Sequence, residues 1–189
     1  MHIKDKIWWT RKSRIQTEKR LLANDFQAQL ILLWYAFFSV AVSIYYLTQK
    51  SNSVIAPGVW VILSVFSLIA SSYISALNFK SRAALVKECY ERLDILYSLA
   101  SSPDLKPDEI QAQYNDVLGL CENHIDLDYR TARCELYFSG KTDFIPKFSK
   151  YDLFIWTYKK FCRLALLLII YTSPAVLFSY LEVGYVCYR

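Results

Sequence analysis

The residues best suited to metal binding lie between positions 121 and 134. Cys121, His124 and Cys134 supply the thiolate and imidazole donors that zinc prefers. A structural zinc site usually carries two ligand pairs with members two to four residues apart, and here only Cys121 and His124 form such a pair. We therefore interpret the cysteines as reduced thiols beside a hydrogen-bonded histidine, and predict no metal and no cofactor.

Acid–base catalysis is the second chemistry that this region suggests. Asp126 and Asp128 alternate beside His124, which is the best candidate for the base of a lipid-acting enzyme. A solvated acidic turn explains the two carboxylates better. The chain also lacks the G-x-S-x-G, P-loop and G-x-G-x-x-G patterns. We predict that it is not an enzyme.

A stripe of hydroxyl side chains is the stronger signal. Ser64, Ser67, Ser71 and Ser75 follow one another at spacings of three, four and four, so they share one helix face, and Ser39 and Ser43 repeat the spacing of four. Two interpretations stay open and are compatible. Small residues let helices approach closely in lipid. Alternatively, the hydroxyls line a water-filled path once several copies assemble.

The elements that carry these serines are long apolar runs. Residues 30–47 and 51–79 hold no charged residue, and a helix needs about 20 mostly apolar residues to cross a bilayer. We predict an all-α integral membrane protein with a transmembrane hairpin at residues 26–78, its spans at about 28–48 and 55–78. The scarcity of glycine, with 4 residues, also favours helices.

A third apolar run raises the question of a further span. Residues 164–182 are uncharged up to Glu182, and Pro174 is expected to kink them, with Thr172 and Ser173 satisfying the freed carbonyls. We expect this segment to cross the membrane. The alternative is a buried or interfacial helix on the cytoplasmic side, which would need a large core to cover it.

Positive charge indicates the orientation. Residues 1–25 are expected to form a basic juxtamembrane helix, and the loop between the first two spans has a single charge, Lys50. The positive-inside rule places the N-terminus and residues 79–163 in the cytoplasm of a multi-pass protein. We assign the net charge of +5 to topology and anionic lipid rather than to sequence-specific nucleic-acid binding. The expected membrane-surface residues are Arg11, Lys12, Arg14, Lys19 and Arg20.

The first apolar run is expected to stay in the mature protein. It is too long for the hydrophobic region of a signal peptide and lacks a small-residue cleavage site.

The region at 79–163 has the pattern of a helical hairpin. Val86, Tyr90, Leu93 and Tyr97 form one stripe of an amphipathic helix, and Pro107 followed by two acids predicts the start of the next. The two stripes pack either on each other or on other copies of the chain. Residues 125–150 are expected to be a loop with a short helix near 128–137.

This order of parts resembles the SLATT family. The resemblance rests on the pattern R-I-x-T-x-x-R-L at residues 14–21, the two-span hairpin with its short loop, and the amphipathic helix at 81–100; it covers about residues 8–125. SLATT proteins are bacterial two-transmembrane effectors associated with nucleotidyltransferase, SLOG or reverse-transcriptase defence systems. The resemblance implies a pore-forming or membrane-disrupting effector of anti-phage immunity and abortive infection. The third apolar run departs from the two-span pattern.

Together these features predict a homo-oligomeric effector that permeabilises the bacterial inner membrane when a sensor partner detects infection. The partner implied by the resemblance is a nucleotidyltransferase or a reverse transcriptase, and residues 79–163 would receive its signal or mediate assembly. The alternative is a non-conducting membrane anchor that recruits a cytoplasmic partner through the stripe from Val86 to Tyr97.

Overall fold

A computed structural model describes residues 3–48, 55–100, 107–140 and 149–186. Within these ranges the chain is helical and contains no strand, which confirms the predicted all-α class. The helices in chain order are α1 (Ile3–Thr48), α2 (Ile55–Ala76), α3 (Phe79–Leu99), α4 (Pro107–Leu118), α5 (Asp126–Phe138) and α6 (Lys150–Val186). As predicted, α4 begins at Pro107 and a short helix lies near residues 128–137.

The helices divide into two compact units. Unit 1 contains Met1–Asp25 and Phe79–Lys160, and unit 2 contains Phe26–Asn78 and Phe161–Arg189. Both α1 and α6 therefore contribute their N-terminal parts to one unit and continue into the other. The chain also passes from unit 2 to unit 1 at Asn78, whose φ of 49° is a left-handed conformation that asparagine tolerates.

The core of unit 1 forms where α1, α3 and α4 meet. One buried cluster joins Ile7 of α1 to Cys89, Leu93 and Leu96 of α3 and to Ile110 and Tyr114 of α4, and a second joins Leu21 to Ala83 and Val86. The apolar stripes of α3 and α4 thus pack on each other and on α1. Packing of the two stripes on each other, the first of the two alternatives, is therefore observed within the chain.

Unit 2 is built from apolar helix segments that remain largely uncovered. Three stretches, Ile3–Thr48, Pro57–Leu99 and Lys150–Glu182, contain helices long and apolar enough to cross a membrane, judged by length and composition. Only 6% of the most apolar 18-residue window of each is buried. Exposed side chains on α2 include Ile62, Phe66 and Ile69. Such a surface requires lipid or other apolar partners.

Hydrogen bonds within unit 2 satisfy the carbonyl that Pro174 frees in α6. Proline has no N–H, so the carbonyl of Ile170 loses its helical donor. The Ser173 hydroxyl donates to that oxygen (3.0 Å), and the Tyr35 hydroxyl of α1 lies 3.1 Å from it. The Trp34 indole N–H donates to the Tyr171 carbonyl next to it (3.0 Å). Ser173 acts as predicted, whereas the two aromatic donors come from another helix.

Thr172 does not act at the freed carbonyl. Its hydroxyl donates to the Leu168 and Ile169 carbonyls, at 2.8 and 3.3 Å. The neighbouring Ser173 lies three residues beyond Ile170, the spacing at which a hydroxyl on a helix returns to a preceding carbonyl.

Replacing Tyr35 by Phe removes this donor and keeps the ring. We expect the change to weaken the packing of α1 on α6 by about 1 kcal/mol, the usual size of an interhelical hydrogen bond in lipid. Thermal unfolding of the purified protein in detergent measures the loss. Tyr45→Phe is the matched control, because the Tyr45 hydroxyl makes a long, exposed hydrogen bond to the Glu182 carboxylate (3.4 Å). An equal loss in both variants would contradict a special role for the carbonyl that Pro174 frees.

Candidate functional site

The R-I-x-T-x-x-R-L pattern lies on the part of α1 that belongs to unit 1. Its Arg14, Thr17, Arg20 and Leu21, which we call the motif face, point toward α3, α4 and α5. Leu21 is fully buried against Ala83 and Val86 of α3. The polar members each contact a buried group on another helix. The motif that carried the resemblance therefore fixes α1 within unit 1.

Asp128 of α5 is the centre of the contacts to Thr17 and Arg20. The Thr17 hydroxyl donates to its carboxylate (2.9 Å), and the Arg20 guanidinium donates through Nε and one terminal nitrogen (2.9 and 3.1 Å). The backbone N–H of Ile125 donates to the same carboxylate (3.2 Å), which caps the start of α5. Asp128 is 2% exposed, so it is not part of a solvated acidic turn as expected. Asp126 alone fits that description, with its side chain 90% exposed.

Arg14 occupies a different environment, among sulfur atoms. One terminal nitrogen contacts the sulfur of Cys89 on α3 and lies 2.7 Å from the sulfur of Cys121, and the other donates to the Leu118 carbonyl (3.3 Å). Arg14 is 1% exposed and its Nε has no hydrogen-bond partner. The expectation that Arg14 faces the membrane surface therefore does not match its position in the core of unit 1.

The other basic residues expected at the membrane surface also make contacts within unit 1. Arg11 pairs with Asp94 (3.0 Å), Lys19 pairs with Glu135 (3.4 Å), and the Lys12 ammonium lies 5.6 Å from the centre of the Trp8 ring. Lys19 keeps 59% of its side chain exposed and is the member of the set most open to a lipid phosphate. Ion pairs of this exposed kind contribute little to stability.

A second buried carboxylate connects α5 to α6. Asp152 in the first turn of α6 is 7% exposed and pairs with Arg130 and with Arg133 of α5, the latter at 2.9 Å. Thus α5 holds α1 through Asp128 and holds α6 through its two arginines. Both α1 and α6 continue along the chain into candidate spans. Helix α5 is thus bonded to the unit 1 parts of both helices.

The serine stripe lies on α2 in unit 2. Ser67 and Ser71 are half-buried, and Ser64 and Ser75 are exposed. Three of the hydroxyls donate to carbonyls of their own helix: Ser64 to Val61 (2.7 Å), Ser67 to Leu63 (2.9 Å) and Ser75 to Ser71 (3.0 Å). In α1, Ser43 donates to the Ser39 carbonyl in the same way (2.7 Å). These bonds satisfy the hydroxyl hydrogens without water and leave the oxygens with acceptor capacity.

The expected interaction stripe on α3 is largely used inside the chain. Val86 and Leu93 have no exposed surface, and Tyr90 and Tyr97 are half-buried. Burial, and then a hydrogen bond to Glu18 of α1, raise the pKa of Tyr90 to about 12. Tyr90 therefore faces α1 as a neutral phenol.

The residues considered for metal binding or catalysis lie in different surroundings and contact different groups. Cys121 lies at Arg14, whereas Cys134 is buried in α5, where burial raises the pKa of its thiol. Burial, and then the positive charge of Arg14, lower the pKa of His124. In the part of the chain that the structure describes, no three His, Cys, Asp or Glu side chains are grouped to hold a metal ion.

Sequence reasoning missed the acidic residues of α5 and α6 that receive these contacts. Asp128 and Glu135 lie seven residues apart, two helical turns, and both face α1; that spacing was the available signal. Asp152 carried a weaker signal, as an acid in the first turn of a helix that is otherwise apolar and basic.

The comparisons with known proteins place this architecture in a family. No curated protein matches the chain, and no solved structure matches it. A family model matches residues 1–181, a range that includes the motif face, the serine stripe and nearly all of the third apolar run. The chain belongs to the family described as SMODS and SLOG-associating 2TM effector domain family 5.

Proposed function

We propose that this protein is the membrane effector of a bacterial anti-phage defence system. On activation, several copies assemble in the inner membrane and open a path that dissipates its ion gradients. The family description supports the effector role and the association with SMODS and SLOG proteins.

The uncovered apolar surface of unit 2 is the observation that carries the proposal. Each apolar window is only 6% buried, so a single chain leaves its candidate spans almost wholly open. Lipid can cover such a surface, and so can the same surface of other copies. A hairpin with one neighbouring helix cannot enclose a path, so a path requires several copies.

The serine stripe supplies the polar side of that path. The hydroxyl hydrogens of Ser64, Ser67 and Ser75 are already bonded to the helix, which lets the stripe sit in a dry interface in a closed state. The free acceptor lone pairs can bind water in an open state. The described parts of α1 and α2 within unit 2 carry no charged side chain, so we propose a path that selects weakly by charge and gates by wetting.

Helix α5 gives the activating signal a route to the spans. It is bonded to α1 at Asp128 and to α6 at Asp152, and both of those helices continue into unit 2. A displacement of α5 by a bound partner therefore acts on the first and third candidate spans together. We propose that a nucleotide-signalling or reverse-transcriptase partner makes this contact on the cytoplasmic side, where the positive-inside rule places unit 1.

Release of a dye from liposomes tests the proposal. The purified full-length protein is inserted into liposomes that contain anionic lipid and a trapped small fluorophore. We expect release that rises more steeply than linearly with the protein-to-lipid ratio, because assembly is required. Liposomes that stay sealed while flotation shows the protein inserted would contradict the proposal.

The competing function is a non-conducting anchor that recruits a partner. It gains support from the half-buried positions of Ser67 and Ser71, which suit a helix-packing surface. The sequence suggested that this anchor recruits its partner through the α3 stripe. That route is disfavoured, because Val86 and Leu93 are buried and cannot contact a partner without opening unit 1. An anchor predicts partner capture without dye release.

A further inference from the structure

We infer that Cys89 and Cys121 form a peroxide-sensitive thiol pair, whose oxidation cross-links α3 to the segment after α4 and removes the counter-ion of Arg14. This would be a modification site on unit 1, separate from the proposed path through unit 2. It does not depend on whether the protein forms a pore.

The buried charge of Arg14 is the first observation. A guanidinium stays protonated in proteins, and burying it without an anion costs several kcal/mol. Among the described residues, the partners of Arg14 are two sulfurs and one carbonyl oxygen, and none is a carboxylate. The Nε remains unbonded although the side chain is 1% exposed. A thiolate is the anion that this set of partners can provide.

The second observation is that the two sulfurs lie at one cation. Both contact the same terminal nitrogen of Arg14, and both are free thiols. The surroundings of Cys89 lower the pKa of its thiol to about 7. The interaction with Cys121 contributes most, followed by the charge and hydrogen bond of Arg14 and the charge of Arg92, and burial opposes them. The same interaction, then burial, raises the pKa of Cys121, as does the charge of Glu122. Cys89 is therefore the more readily ionised of the two thiols.

An opposing contact keeps the two forms of Cys89 in balance. In its thiol form Cys89 can donate to the Val117 carbonyl oxygen, 3.2 Å away. In its thiolate form it accepts from Arg14 instead. A group that is part thiolate near neutral pH, and that has a resolving thiol beside it, has the character of a redox-sensing cysteine.

Access to the pair runs through Cys121. Cys89 has no exposed surface, whereas Cys121 is half-buried in the non-helical segment at residues 119–125. Non-helical segments at the surface of a domain open locally at low cost. Hydrogen peroxide is close to water in size. It can therefore reach the pair through this segment more easily than a larger oxidant such as a small-molecule disulfide.

The reaction balances with hydrogen peroxide as the oxidant. The Cys89 thiolate attacks one peroxide oxygen, the O–O bond breaks, and hydroxide leaves and is protonated to water. The resulting sulfenic acid is attacked by the Cys121 sulfur; the S–S bond forms, the S–O bond breaks, and the departing hydroxide takes up the Cys121 proton. The two sulfurs lose two electrons, and one peroxide becomes two waters.

The disulfide changes the contacts of α1. Once the thiolate is consumed, Arg14 retains its charge in a buried position with no anion beside it. The motif face then loses one of its anchors while Thr17 and Arg20 keep Asp128. Oxidation should therefore raise the amide hydrogen exchange of α1 around Arg14 more than that of α5.

Peroxide titration of the full-length protein in detergent micelles tests this inference. The variant Cys134→Ala/Cys162→Ser/Cys187→Ser leaves only the pair, and differential alkylation with mass spectrometry detects the linked peptides. We expect a reducible Cys89–Cys121 disulfide whose rate of formation rises with pH and is half-maximal near 7. Cys89→Ser is the matched control and should leave Cys121 reduced.

Two results would overturn the inference. One is the absence of the disulfide in folded protein after peroxide treatment. The other is a rate midpoint near pH 8.5, the value of an ordinary thiol.

Arg14→Gln tests the role of the guanidinium. It should move the midpoint upward by about one pH unit or more, which slows oxidation at pH 7 about tenfold. An unchanged midpoint in folded Arg14→Gln would overturn that role. If Arg14→Gln does not fold, Arg14→Lys replaces it; a midpoint near 7 with the retained charge supports the inference, and a midpoint near 8.5 opposes it.

Discussion

Asp128→Ala is expected to lower the free energy of unfolding of unit 1 by about 3 kcal/mol, because it leaves Arg20 without its buried partner. The carboxylate accepts hydrogen bonds from Thr17, Arg20 and the Ile125 backbone, and it is 2% exposed. Alanine leaves a charged guanidinium that is 24% exposed and a buried hydroxyl without an acceptor. The start of α5 also loses its cap.

Hydrogen exchange measured by mass spectrometry gives the size of this effect. Peptides from residues 7–21 and 126–138 should exchange about 100-fold faster in Asp128→Ala, the factor that corresponds to 3 kcal/mol. Peptides from α2 provide an internal reference in unit 2. Asp126→Ala is the matched control: it removes an acid from the same first turn, but one whose side chain is 90% exposed. Equal effects in the two variants would show that the helix start, and not the motif face, determines stability.

Ser67→Leu/Ser71→Leu is expected to abolish dye release from liposomes while the protein still inserts. Leucine at these half-buried positions removes the polar side of the proposed path and fills it with two branched side chains. Leucine is also favourable in a bilayer core, so insertion should not suffer. Release should fall to the level of protein-free liposomes.

The neighbouring serine provides the control. Ser72 lies about 100° around the helix from Ser71, is exposed, and donates to the carbonyl of Leu68 (3.3 Å). Ser72→Leu should leave release at the wild-type level. Loss in both variants would assign the serines to helix packing in general, and unchanged release in the double variant would remove the stripe from the path.

Much of the fold followed from local patterns. Uncharged runs of about 20 residues predict helices able to cross a membrane, because a helix satisfies its own backbone groups in lipid. The start of α4 was likewise signalled by proline and by acids in the first turn. Such signals depend on neighbours in the chain, and the sequence displays them directly.

The contacts of the basic residues could not be predicted in the same way. Arg14 and Arg20 belong to a basic run beside a span, a pattern that favours the membrane surface. Their contacts are with Cys89 and Asp128, which lie 75 and 108 residues away along the chain. Only the packing of α1 against α3 and α5 brings these residues together. The same limit concealed Tyr35 as a donor to the Ile170 carbonyl, 135 residues away along the chain.

The membrane potential of bacteria that produce this protein tests the central claim most directly. A potential-sensitive dye is followed after induction, beside cells that produce equal membrane-bound amounts of Ser67→Leu/Ser71→Leu. The proposed path predicts depolarisation with the wild-type protein and a stable potential with the variant. A stable potential in both cultures, with the wild-type protein recovered from the membrane fraction, would contradict the proposal that this protein permeabilises the membrane.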